Sequence, residues 1–250
     1  MTVEMPTEAN PVVVVCGDAL DVLRAMPDGC VDAVVTDPPY GISYQSARRT
    51  DKSRWKPKIA NDGAPFVWWL YDAGRVLRDG GAVPCFCRWD VQEAFRVALG
   101  WAGLKVRAQI IWDRMAHGAG DPAVSPAPQH DVIWYATKGR RVFHGGRQKT
   151  VVRAPRLQGD TLRHPNEKPE SLMRQLVEGY VPPGELAIDP FAGSGTTAVA
   201  CAVLGRQCLG IELDARYAEI CRRRVAEAMG MGAGSLLKAT VPDLFSGAGE

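Results

Sequence analysis

Short apolar runs recur along this chain, each followed by an amphipathic stretch. VVVVC (12–16), VDAVVT (31–36), GGAVPCFC (80–87), LKVRAQIIW (104–112), HDVIWYAT (130–137), ELAIDP (185–190) and QCLGIEL (207–213) have the length and β-branched content of strands. DALDVLRAM (18–26), PFVWWLYDAGRVL (65–77), VQEAFRVAL (91–99), KPESLMRQLVEGY (168–180), TTAVACAVL (196–204) and DARYAEICRRRVAEAM (214–229) read as helices. Asp18 and Asp214 stand where N-caps belong. A strand that is apolar on both faces has to be covered on both faces, and strand–helix alternation supplies that cover. The expected fold is α/β, a mostly parallel doubly wound sheet.

The rhythm breaks at 41–62, at the Gly/Pro-rich 115–129 and at 138–167. Long irregular stretches inside a compact domain are usually functional. The last twenty residues, 231–250, are rich in Gly and Ala and read as a flexible tail. With 250 residues, no internal repeat and no clear linker, one domain over 12–230 is expected. Nothing resembles a signal peptide, and no apolar run approaches the roughly 20 residues of a membrane helix, so the expected location is the cytoplasm. The seven cysteines are scattered without a Cys-x-x-Cys pair; reduced thiols and no metal are expected.

Two strand ends carry unusual chemistry. VVTDPPYGI (34–42) runs from apolar residues into an acid, two prolines and an aromatic ring. Each proline fixes φ and removes a backbone donor, and Pro38 steers Asp37 away from helical geometry. The result is a rigid strand exit that presents acceptors. LAIDPFAGSGTTA (186–198) is a strand, a turn through Gly193 and Gly195, and a helix opened by Thr196. This Gly-x-Gly-x-x-Ala outline is that of a nucleotide-binding turn, with free N–H groups of the helix end facing the ligand. Glu212 ends the next strand, where an acid can accept from both hydroxyls of a ribose. No lysine follows the second glycine, so the turn is not a P-loop.

Charge is unevenly distributed. The chain carries +2 overall, but residues 41–60 hold six Lys/Arg against one acid, and residues 138–168 nine against two, so the remainder stands at −10. Two basic segments on an acidic body suit a polyanion-binding face.

Asp37-Pro38-Pro39-Tyr40 taken with DPFAGSGTT resembles the amino-methyltransferases of DNA, which methylate the exocyclic nitrogen of adenine or cytosine from S-adenosylmethionine. The tetrad precedes the glycine block, an order similar to that of the circularly permuted beta group. CGDAL (16–20), HPNEKPESLMRQLV (164–177) and GIELDARY (210–217) resemble further blocks, so the likeness spans about residues 12–228. It implies a Rossmann-like methyltransferase fold with an antiparallel strand in the sheet. It makes Asp37, Pro38, Pro39 and Tyr40 catalytic, with the Asp37 carboxylate and the Pro38 carbonyl accepting the two amino hydrogens and Tyr40 stacking on the flipped base. It places Phe191, Gly193 and Gly195 around the methionine part of the cofactor, Glu212 on the ribose, Asp18 near the adenine or the amino group, and Lys168 near the cofactor carboxylate, with Asp189 and Thr196 completing the set.

Double-stranded DNA is then the expected partner. Arg48, Arg49, Lys52, Arg54 and Lys56 follow the tetrad and would flank the flipped base, where Trp55 could wedge or stack. Arg140, Arg141, Arg147, Lys149 and Arg153 lie in 138–167, the place of the sequence-reading part. That segment is short, which argues for modest sequence selectivity or for a second subunit, a homodimer. Asp at the first position of the tetrad favours adenine N6 in this family. Cytosine N4 is the nearest alternative, and a catalytically inactive DNA-binding subunit another. Methylation of RNA or of a protein glutamine fits the motif order less well, and an NAD oxidoreductase would find no residue here for its chemistry. VPDLFSGAGE (241–250) is similar to the glycine block of cytosine-C5 enzymes, but it has no following helix and no Pro-Cys block accompanies it. If the basic segments grip phosphates, affinity for duplex DNA falls on the order of tenfold or more between roughly 50 and 200 mM salt. A binding titration with unchanged affinity over that range contradicts the assignment.

Overall fold

The computed structural model describes residues 3–41, 65–117, 123–144, 146–157, 163 and 166–230. Eight strands form one sheet: β1 (Val12–Cys16), β2 (Val31–Val34), β3 (Leu77–Cys87), β4 (Lys105–Asp113), β5 (His130–Thr137), β6 (Val151–Arg153), β7 (Leu186–Asp189) and β8 (Gln207–Glu212). Their order is β1-β8-β7-β2-β3-β5-β4-β6. All neighbours pair in parallel except β5, which is antiparallel to both β3 and β4. The mostly parallel sheet with an antiparallel strand is as expected.

Six helices cover it: α1 (Ala19–Ala25), α2 (Trp69–Val76), α3 (Gln92–Trp101), α4 (Glu170–Tyr180), α5 (Thr196–Val203) and α6 (Ala215–Ala228). α1, α2 and α3 pack in one row, and α4, α5 and α6 in another. Between the rows the strand side chains are enclosed on both faces, as the apolar runs require; Val31, Ala33, Val34, Ala187 and Ile188 are fully buried. Asp18 caps α1 by accepting from the Leu20 N–H at 2.8 Å, and Asp214 caps α6 by accepting from Arg216 N–H at 2.9 Å.

Two boundaries differ from the sequence reading. α2 begins at Trp69 rather than near Pro65; just before it, the Phe66 carbonyl accepts from the Trp69 indole at 2.9 Å. β3 begins at Leu77 rather than Gly80. Gly80, with φ +76°, and Gly81 form an irregularity that shifts the register from Val31 opposite Leu77 to Ala33 opposite Ala82. The expected tail at 231–250 lies outside the described residues. Among those described, no helix is long and apolar enough to cross a membrane.

β2 and β7 are neighbours at the centre, with Ala33 opposite Ala187 and Val34 opposite Ile188. From β2 the chain proceeds towards β3, and from β7 it returns the other way to β8, so the sheet's switch point lies between them. One buried carboxylate fastens the two exits together. Asp189 Oδ1 accepts from Thr36 Oγ1 at 2.7 Å and from the Phe191 N–H at 3.1 Å, and its Oδ2 accepts from Thr197 Oγ1 at 2.6 Å. Burial pushes its pKa up to about 6, against the pull of these three hydrogen bonds, and the nearby charge of Asp37 adds to the rise.

A carboxyl whose folded pKa lies above its unfolded value holds its proton more tightly when folded, so its contribution to stability is greatest in acid and is lost as pH rises towards 6. The stability difference between the native chain and Asp189→Asn should therefore shift against the native chain by about 2 kcal/mol from roughly pH 4.5 to 7. Urea unfolding at a series of pH values measures it; a difference that does not vary with pH contradicts the assignment.

Candidate active site

The C-terminal ends of β1, β2, β7 and β8 surround a cleft of about 400 Å³, within the range of small-molecule sites. Its lining brings together Asp18, Asp37, Pro38, Pro39, Lys168, Asp189, Phe191, Gly193, Thr196 and Glu212, residues separated by up to 194 positions between Asp18 and Glu212. Phe66, Met173 and Tyr217 add apolar surface. Asp37, Pro38 and Pro39 thus form one wall and the glycine turn another, while Tyr40 does not line the cleft.

The glycine turn is closed by Gly195 N–H donating to the Ala192 carbonyl at 2.8 Å. Gly195 has φ +86°, and a Cβ on it would lie 2.3 Å from Cys221 Sγ of α6, so a side chain is excluded on both counts. Phe191 is held edge-on to Trp69, ring centroids 5.2 Å apart, and to Phe66, 6.0 Å apart, and gives the turn an apolar side. Glu212 accepts from the Gly193 N–H and the Asp214 N–H, each at 2.8 Å, and burial raises its pKa. Gly17 N–H donates to the Glu212 carbonyl at 2.9 Å, which ties the β1 exit carrying Asp18 to the same corner.

A clamp not foreseen from the sequence holds the turn from behind. Arg224 of α6 is buried and donates to the Ser194 carbonyl at 2.7 Å and to Ser194 Oγ at 3.2 Å. It also pairs with Glu167 at 3.2 Å, joining the turn to the segment that precedes α4. Burial lowers the Arg224 pKa from its ordinary value, and the Glu167 carboxylate opposes that. In CRRRV (221–225) nothing distinguishes this arginine from its solvent-facing neighbour Arg223 except helical phase.

At the tetrad, Thr36 continues the pairing of β2, donating its N–H to the Pro84 carbonyl at 3.2 Å and accepting from Phe86 N–H at 2.9 Å. Asp37 therefore stands on a fully paired strand end. Both its oxygens have partners: the Tyr40 hydroxyl donates to Oδ1, and the Lys168 ammonium donates to Oδ2. Two expectations change here. Tyr40 does not offer a free face. It is buried edge-on against Phe95, ring centroids 6.4 Å apart, and burial, followed by the Asp37 charge, raises its pKa well above the ordinary value. Lys168 does line the cleft, but its ammonium is committed to the tetrad. Asp189 lines the cleft, and its carboxylate is used in the joint to Thr36 and Thr197.

The basic segments fare differently. Arg48, Arg49, Lys52, Arg54 and Lys56, with Trp55, lie outside the described residues. Arg141 is enclosed, donating to the carbonyls of Gly80 at 2.9 Å and Tyr180 at 2.8 Å and to Glu185 at 2.7 Å. Its expected role on DNA is corrected: these partners leave it no reach to a phosphate. Arg140 is exposed, but β5 runs antiparallel, so the chain that leaves it emerges at the sheet edge opposite the tetrad. The segment returns through β6, which pairs in parallel with Ile111–Asp113. Exposed Arg147 and Lys149 precede that strand, and Arg153 ends it on the tetrad side, 3.4 Å from Asp113.

The model of the N6/N4 methyltransferase family, described as DNA methylase, matches residues 31–223. YubD of Escherichia coli (strain K12), named as a methylase, is 30% identical over 217 residues, covering 84% of this chain and 88% of its own. Two solved structures share the fold. The M1.HpyAVI–SAM complex superposes with a TM-score of 0.66 at 20% identity, over 85% of this chain and 99% of its own. The cytosine-N4-specific PvuII DNA methyltransferase superposes with a TM-score of 0.69 at 13% identity, over 92% and 93%. A strand-end Asp-Pro-Pro-Tyr and a glycine turn meeting in one cleft, and a family match running through both, make this chain a member of the N6/N4 DNA methylase family.

Proposed function

We propose that this protein transfers a methyl group from S-adenosylmethionine to the N6 amino group of an adenine turned out of duplex DNA. The observation that carries the reading is the shared cleft: the Asp37 carboxylate and the glycine turn open on one space. The residues suit the cofactor. Phe191 and Phe66 give an apolar side, Glu212 an acceptor at the position of a ribose, and Asp18, Asp37, Glu212 and Asp214 an acidic lining for a sulfonium cation. When bound, the cofactor supplies an electrophilic methyl group on sulfur.

The chain's own task is to make a weak nucleophile reactive and to hold it still. An exocyclic amino nitrogen has its lone pair delocalised into the ring. Asp37 and the Pro38 carbonyl take its two hydrogens, which turns the lone pair out of the ring plane. Prolines at 38 and 39 keep the acceptors rigid and offer no competing N–H. Alignment of this kind is worth several kcal/mol of barrier; as the N–C bond forms and the S–C bond breaks, the surplus proton on nitrogen is shed to solvent. Tyr40 serves the carboxylate through its hydroxyl. The amino group of an adenine within the duplex is paired, so the base has to leave the stack to reach Asp37. Asp37 at the head of the tetrad favours adenine by its family association. Cytosine N4 presents the same two hydrogens, and the fold shared with a cytosine-N4 enzyme keeps that reading as the second.

Expression in a bacterium free of its own DNA methylation, followed by base-resolved modification sequencing, tests this. Methylated adenines at a defined motif are expected, and none with Asp37→Ala. Methylated cytosines would select the second reading, and unmodified DNA from the unaltered protein would overturn both.

A further inference from the structure

Among the described residues, Lys168 is the only basic side chain lining the cleft, against Asp18, Asp37, Glu167, Asp189, Glu212 and Asp214. It does not face the glycine turn's N–H groups. Its ammonium is bonded to Asp37 Oδ2, 5.1 Å from the centre of the Phe86 ring and 5.8 Å from that of Tyr40. The backbone leaves it little choice. Glu167, just before it, is only 2% exposed and held by Arg224, and Pro169, just after, caps α4 with φ −61°.

We propose that Lys168 is the positioning residue of the catalytic carboxylate: with the Tyr40 hydroxyl on one oxygen and the Lys168 ammonium on the other, the plane of Asp37 is fixed and its remaining lone pairs are aimed at the target amino group. The proposal rests on the methyltransferase reading above. A carboxylate offers about four acceptor sites. Two are taken by these donors, so a target N–H can be accepted without displacing Lys168. The titratable groups around Asp37 are Tyr40, Cys85, Cys87 and Asp189, all of which oppose a further negative charge when ionised. Among the described residues, the Lys168 ammonium is the positive charge paired with Asp37.

The rival role is the one the family resemblance implies, a place near the cofactor carboxylate, and the two separate cleanly. Lys168→Met is compared with the native protein by calorimetric titration with S-adenosylmethionine. Methyl transfer to unmethylated bacterial genomic DNA is then measured at saturating cofactor and neutral pH. Positioning predicts cofactor affinity within about twofold, and a turnover loss on the order of 100-fold at neutral pH. It also predicts that Lys168→Arg recovers most of the rate. Lys168→Gln, which keeps a donor and lacks the charge, should recover less of the rate than Lys168→Arg and serves if the Met chain does not fold. Cofactor affinity weakened tenfold or more with turnover preserved at saturation overturns the proposal in favour of the cofactor grip. A rate loss that Lys168→Arg does not recover overturns it in favour of a merely structural lysine. An unaltered protein that methylates nothing removes the underlying reading instead, a failure visible before any variant is made.

Discussion

The bonds from Thr36 and Thr197 to the Asp189 carboxylate hold the rest of the site in place. Thr36 immediately precedes the tetrad, Asp189 ends β7, and Thr197 lies in the first turn of α5. One buried group therefore connects the strand that carries the acceptors, the strand that carries the glycine turn, and the helix whose N-terminus faces the cleft. Its buried position makes the joint sensitive: a carboxylate enclosed at 3% exposure is tolerable only because three donors reach it. Losing any one of them leaves an acceptor buried without its partner, which costs on the order of 1–3 kcal/mol.

Around this joint the cleft separates two kinds of chemistry by charge. The glycine-turn side is lined by Glu212, Asp214 and Asp18, and its N–H of Gly193 is already turned towards Glu212. The tetrad side holds the Lys168 ammonium against Asp37. Behind both, Arg224 and Glu167 bridge the turn to the loop carrying Lys168. A cationic methyl donor and a neutral amino acceptor would each find a matching wall.

Much of this was legible in the chain. The seven apolar runs of the opening reading all became strands, with β6 the one addition, because a strand covered on both faces has to be continuously apolar. Asp18 and Asp214 were legible as caps because capping is local. The two strand-end motifs converged because neighbours in a parallel sheet deliver their loops to the same edge. What escaped the sequence is long-range. Nothing local tells that Thr36 meets Asp189, 153 residues away, or that Lys168 meets Asp37 across 131. The resemblance gives Tyr40 a stacking role on the flipped base, while its packing against Phe95 of α3 is a long-range contact. Arg141 counted as a basic residue in a basic segment, although the antiparallel course of β5 carries it to the opposite edge and into Glu185. Composition gives the number of charges in a segment, and topology decides which edge receives them.

The central claim is that the methyl donor and the tetrad occupy one site, with the transferable methyl group facing Asp37. Calorimetric comparison of two cofactor analogues tests it without DNA or turnover. Sinefungin places an amine where the methyl group sits, and S-adenosylhomocysteine leaves that place empty. A charge-assisted hydrogen bond to Asp37 is worth about 1.5–3 kcal/mol, so sinefungin should bind at least about tenfold more tightly, and that preference should vanish in Asp37→Asn. Equal affinities, or a preference that survives loss of the carboxylate, would contradict the account.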